Sequence, residues 1–186
     1  HAVQDGLGAA LYVILPIIAP IFNLSLTQIG VLRSLNSAAM ASFEILSGIL
    51  SERFGERNLL TFGLISASFG YIGLAFTNSY WMIGACFFVI GFGGAFQHAL
   101  SSSLVSRAYN SDDRRTALGI YNSLGDTGKL IFTSIFSLAI SVGLTWQPVV
   151  SFFGSVALFA GVGIFVTLMY VSTGAKVVIN NDQKSK

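Results

Sequence analysis

Long apolar runs alternate with short polar breaks along the whole chain, and the breaks predict six helices. The first runs from His1 to about Phe22 and contains Pro16 and Pro20, which a membrane helix tolerates when neighbours satisfy the freed carbonyls. "NLSLTQ" turns the chain, with Ser25 and Gln28 at capping-box spacing. The second helix covers about Thr27–Ser51 and ends in a charged knot, "GILSERFGER". The third spans about Leu59–Thr77 and is followed by the tight turn "TNSY". The fourth covers about Tyr80–Arg107, and the polar loop "AYNSDDRR" leads to a fifth over about Thr116–Gly143. "LTWQP" starts the sixth, with Pro148 in the first turn, where a missing N–H costs nothing. That helix ends near Ser172, so residues 1–172 read as one six-helix transmembrane bundle. Residues 173–186 read as a polar cytoplasmic tail or the start of a linker. The chain opens with His1 already inside an apolar segment, so the first helix reads as truncated at its beginning.

Composition turns these helices into membrane spans. Only 10% of the 186 residues are charged, against about 25% in an ordinary soluble domain, and 53% are hydrophobic. Mean hydropathy is +0.73. A hydrocarbon layer of about 30 Å needs about 20 helical residues, which each run supplies. The expected class is an all-α integral membrane protein. A net charge of +2 gives no reason to expect a nucleic-acid partner, and the single cysteine, Cys86, excludes an intramolecular disulfide. "GFGG" lacks the strand-then-helix context of a phosphate loop, and neither HExxH nor GxSxG occurs. No enzyme activity, cofactor or metal site is expected. The basic residues matter by position. Arg53 and Arg57, then Arg107, Arg114 and Arg115, and finally Lys176, Lys184 and Lys186 all fall on one side of the predicted topology. The positive-inside rule makes that side cytoplasmic, and Trp81 and Trp146 fall at the opposite interface.

Five charges remain inside spans: Asp5, Arg33, Glu44, Asp126 and Lys129, with His1 and His98 as further titratable groups. An ionised group at mid-bilayer costs about 2.5–3.5 kcal/mol on insertion scales, so each needs a partner, water or neutralisation. They occupy helices one, two, four and five, and helices three and six have none. Asp5, Glu44, His98 and Asp126 each lie about 25–27 Å from the non-cytoplasmic end of their helix, in one layer. Helical spacing aligns His1, Asp5, Gly8 and Tyr12, and likewise Arg33, Ser37, Met40, Glu44 and Ser47. Gly94, His98 and Ser101 share a face, as do Asn122, Asp126 and Lys129. Such stripes predict a hydrated path between four helices. Asp126–Lys129 also fits a purely structural pair, Arg33 an outward-reaching side chain, and His98 a helix contact. Gly91, Gly93 and Gly94, with Gly119, Gly125 and Gly128, predict close helix approach.

The charged knot carries a family resemblance. Gly48-x-Leu50-x-Glu52-Arg53-x-Gly55-x-Arg57 resembles the loop signature G-x-L-a-D-r-x-G-r-[RK] of the major facilitator superfamily, with Glu52 in place of the usual Asp. "HAVQDGLGAALYVILP" and "NLSLTQIGVL" are similar to its fosmidomycin-resistance-like branch, and "FQHALSSSLVSRAYNSDDRRTALGIYNSLGDTGK" to the fourth-to-fifth helix region of bacterial members. Phe88 stands where that family often has Arg, and Lys129 where drug antiporters often have Pro. The resemblance implies the amino-terminal half of a twelve-helix transporter, an MFS-type half bundle of 3+3 inverted repeats working by alternating access. In it, Gly48, Glu52, Arg53, Gly55 and Arg57 would form a conformational lock. Asp5, Glu44, Asp126 or His98 would carry a proton, and Arg33 or Lys129 would attract a polar or anionic solute. The implied partners are the bilayer of a bacterial inner membrane, the solute, and a missing six-helix half or a second copy. The alternative is a non-transporting membrane scaffold built on such a half, since six helices alone leave half a polar cavity facing lipid.

Overall fold

The computed structural model describes residues 1–171, which form six helices: α1 Ala2–Ile21, α2 Leu26–Phe54, α3 Glu56–Ala75, α4 Tyr80–Ala108, α5 Ser111–Ser141 and α6 Trp146–Tyr170. The expected tail over 173–186 lies outside the described residues. Four helices, α1, α3, α4 and α6, are long and apolar enough to cross a membrane. The other two, α2 and α5, have 29 and 31 residues, about 43–47 Å. They fall short on composition because they carry the in-span and terminal charges, not for want of length.

Two turns are built alike. Leu24 N–H donates to the Ala19 carbonyl and Asn23 N–H to that of Pro20; Leu144 and Gly143 repeat this with Ala139 and Ile140. Both are Schellman endings with a left-handed residue at the turn, Asn23 at φ +51 and Gly143 at φ +88. The expected capping box forms: Gln28 N–H donates to Ser25 Oγ, and Ser25 N–H donates to the Gln28 side chain. Two boundaries differ from expectation. Helix α5 starts at Ser111, five residues before Thr116, because Asp112 and Asp113 in its first turn complement the helix dipole. Between α2 and α3 only Gly55 remains outside helix, at φ +81, so the knot is almost wholly helical.

Packing follows the glycines. Helix α3 lies between α4 and α6, α2 lies along α4, and α1 lies along α5. Gly93 and Gly63 face each other's backbone across α4 and α3, and Gly91 sits on the Asn36 carbonyl of α2. Gly128 sits on the Ala2 carbonyl of α1. The main core gathers Leu7, Leu11, Ile14 and Ile18 with Tyr71, Phe87, Phe136 and Phe153. Tyr71, fully buried, donates its hydroxyl to the Leu7 carbonyl and ties α3 to α1. Burial and close contacts refine three placements. Helix α3 buries Leu64, Ala67, Ser68 and Leu74 against its neighbours and leaves Phe62 and Phe69 exposed. Trp146 packs edge-on against Phe22 and is buried, whereas Trp81 is exposed as an interfacial residue should be. Finally, Gly119, expected to mediate close helix approach, has open space where a Cβ would stand and does not do so; Gly48 likewise faces open space.

Candidate functional site

A cavity of about 360 Å³ opens between α1, α2, α4 and α5, and α3 and α6 contribute nothing to its lining. The polar stripes meet there as their spacing requires. Asp5, Gly8 and Tyr12 come from α1, and Arg33, Ser37 and Met40 from α2. Gly94 and His98 come from α4, and Lys129 from α5. Two amides, Gln4 and Asn36, also line it. Sequence reasoning missed them because it weighed charge alone; an uncharged amide inside an apolar span was the available signal.

The inner end of the cavity is built on Asp5. Its Oδ2 lies 3.2 Å from Lys129 Nζ and 3.5 Å from His1 Nε2, and Lys129 Nζ also lies 2.9 Å from Asp126 Oδ1. Burial grades along this chain: the His1 and Asp5 side chains are 9% and 7% exposed, Lys129 is 47% and Asp126 is 72%. His1 stacks on Tyr121 with ring centroids 3.9 Å apart and meets His98 edge-on at 5.7 Å. Gly125 makes room for all of this, since a Cβ there would stand 2.7 Å from Asp5 Oδ2 and from His1 Nε2. His1 Nδ1 and Asp5 Oδ1 are buried without a hydrogen-bond partner. His1, Asp5 and His98 offer ligand atoms within 4.8 Å of one another, a convergence that sequence spacing on two separate helices did not disclose.

The other end is built on Arg33, whose guanidinium carbon lies 3.2 Å from the Tyr12 ring centroid, a cation–π contact. The side chain turns onto α1 instead of reaching outward, and forms no ion pair among the described residues. Asn36 is fixed by donating Nδ2–H to the Phe87 carbonyl at 2.9 Å. Counting Asp5 and Asp126 against Lys129 and Arg33, with neutral imidazoles, the site is formally neutral but polarised: an anion-attracting pole at Arg33 and a carboxylate pole at Asp5.

Glu44 is half-buried and does not line the cavity. At the knot, Glu52, Arg53 and Arg57, expected in the conformational lock, form no mutual ion pair among the described residues. Arg53 lies 5.5 Å from the Phe54 ring centroid and Arg57 5.4 Å from that of Phe165. The bridge at this end joins Glu56 of α3 to Arg107 of α4 instead. Glu56, one residue beyond the Gly55 break, begins α3 and stands beside Arg107.

Comparison with known proteins agrees with this architecture. Residues 3–185 match the Major Facilitator Superfamily. An uncharacterized MFS-type transporter, YfnC, of Bacillus subtilis (strain 168) is 26% identical over 155 residues, covering 81% of this chain and 38% of its own length. The class C tetracycline resistance protein of Escherichia coli is 31% identical over 134 residues, covering 69% of this chain and 32% of its own. The chain thus spans about a third of the length of these relatives. A crystal structure of the peptide transporter POT superposes with a TM-score of 0.81 at 17% identity, over 95% of this chain and 38% of that one. A helical, apolar bundle of this arrangement, matched by the family along almost its full length, identifies an integral membrane protein that belongs to the Major Facilitator Superfamily.

Proposed function

We propose that this bundle is the amino-terminal half of a proton-coupled secondary transporter that moves a small polar or anionic solute by alternating access, in the fosmidomycin-resistance-like branch. The observation that carries the reading is the cavity, to which four helices contribute polar side chains and two contribute none. A second six-helix half, or a second copy, would close its open side against the bilayer. The topology has the Gly55 and Tyr109–Asn110 turns and the C-terminal tail in the cytoplasm of a bacterial inner membrane, following the distribution of Arg and Lys.

The mechanism uses the two poles in sequence. An anionic group enters toward Arg33, whose charge no carboxylate balances. Its approach draws the half-exposed Lys129 ammonium away from Asp5. A buried carboxylate left without its counter-charge takes up a proton, which makes the occupied cavity neutral enough to rearrange. Release of the solute lets Lys129 return and expels the proton on the opposite side. Gly55, the one-residue break between α2 and α3, and the Glu56–Arg107 bridge are where the cytoplasmic ends would part.

The test is solute flux driven by a pH gradient in everted vesicles containing the complete transporter. Asp5→Asn should abolish the stimulation by the gradient, and Asp126→Asn should weaken it. Unchanged coupling in both variants refutes the assignment.

A further inference from the structure

We propose that His1, Asp5 and His98 form a binding site for a divalent transition cation of the zinc, cobalt and nickel class, held in competition with the Lys129 ammonium. Two imidazoles and one carboxylate converge with ligand atoms within 4.8 Å of one another. The His1 Nε2–Asp5 Oδ2 separation of 3.5 Å already matches two donors about 2.0–2.1 Å from a shared tetrahedral cation. His98, half-buried on α4 and facing the cavity, closes the rest by side-chain rotation.

Three features mark a built site. His1 and Asp5 are one helical turn apart on α1, so a single face presents both, and the Tyr121 ring holds His1 in place at 3.9 Å. Gly125 of α5 keeps a side chain out of the space beside both ligands. The His1 and Asp5 side chains sit in a nearly dry position, 9% and 7% exposed, and the unpartnered Asp5 Oδ1 and His1 Nδ1 form no bond that would turn Oδ2 and Nε2 away from a shared cation.

The donor set selects the ion. Two imidazoles suit zinc, cobalt, nickel and copper(II), whereas magnesium and calcium take oxygen ligands in larger number. No thiolate is present to favour copper(I), since Cys86 lies elsewhere, buried in the main core. The fourth coordination position faces the cavity and takes water or an anionic group.

Lys129 gives the site its particular property. Its ammonium occupies the Asp5 Oδ2 lone pair at 3.2 Å and also reaches Asp126 at 2.9 Å. An incoming divalent cation takes Asp5, and Lys129 keeps Asp126 as its remaining counter-charge. Asp5, Asp126 and Lys129 sum to −1, so the bound divalent cation takes this cluster to +1, which an anionic group in the fourth position offsets.

The test uses the full-length, tag-free protein in detergent micelles, titrated with cobalt(II) chloride under a visible spectrum and with zinc chloride by calorimetry. One equivalent of cobalt should develop a d–d absorption that zinc bleaches and magnesium does not. His98→Gln and Asp5→Asn should each weaken binding about 100-fold. Lys129→Met should tighten it about tenfold by removing the resident competitor. The proposal is overturned if no stoichiometric binding occurs, or if both ligand variants bind as wild type does. Failure of Lys129→Met to tighten binding overturns the competition; because it removes no ligand, this arm is readable even if a ligand variant misfolds. Binding is read without solute, so its failure leaves the transport reading to the flux experiment.

Discussion

Gly125→Ala and Gly119→Ala make the same chemical change on the same helix, six residues apart, with opposite expected outcomes. At Gly119 a Cβ meets nothing within 4 Å. The substitution there collects the helix-propensity difference between Gly and Ala, about 0.8–1.0 kcal/mol, as stabilisation. At Gly125 the same Cβ would stand 2.7 Å from Asp5 Oδ2, His1 Cδ2 and His1 Nε2, whereas ordinary contact begins at 3.4 Å, so 0.7 Å must be cleared (3.4 less 2.7). Moving helix α5 outward to relieve this would part Gly128, one turn further, from its close seat on the Ala2 carbonyl. Asp5 cannot retreat without lengthening its 3.2 Å contact to Lys129. Overpacking of this kind costs about 1–3 kcal/mol, which cancels or exceeds the propensity gain. Reversible unfolding in mixed micelles measures the first effect, and gradient-driven flux the second. Gly119→Ala should be more stable and equally active; Gly125→Ala should be no more stable than wild type and lose coupling. If Gly125→Ala matches Gly119→Ala in both assays, the close seating of α5 on the Asp5 cluster is wrong.

Two further outcomes are expected from particular contacts. Tyr71→Phe removes the buried hydroxyl that donates to the Leu7 carbonyl and should cost about 0.5–1.5 kcal/mol in the same unfolding assay, with no loss of helix content. A double-mutant cycle on Glu56 and Arg107 should give a coupling of no more than about 1 kcal/mol, falling in high salt, because the Arg107 side chain is 58% exposed. A coupling insensitive to salt would show that the bridge is closed off from solvent.

Much of this molecule was legible from spacing along the chain. The capping-box residues, Pro148 at the start of α6, and the confinement of in-span charge to four helices all follow from short-range pattern. Helical periodicity tells which residues share a face, and burial cost tells that such faces must meet something polar. The pattern could not tell which residues on facing stripes would touch. Glu44 sits on the same predicted stripe as Arg33, but only Arg33 reaches the cavity, because helices that cross bring their faces together over a few turns and diverge elsewhere.

The amino-acid order alone determined six membrane-length helices, their faces, and the four that carry polar groups, since hydropathy and the 3.6-residue repeat are local properties. Tertiary structure decided the partners: Asp5 with Lys129, His1 beside Tyr121 and His98, and Glu56 rather than Glu52 with Arg107. It also decided that Gly125 and Gly128 would seat α5 on α1 while Gly48 and Gly119 faced open space. Those choices depend on the relative rotation and rise of neighbouring helices, which side-chain packing over the whole bundle sets and no single segment encodes.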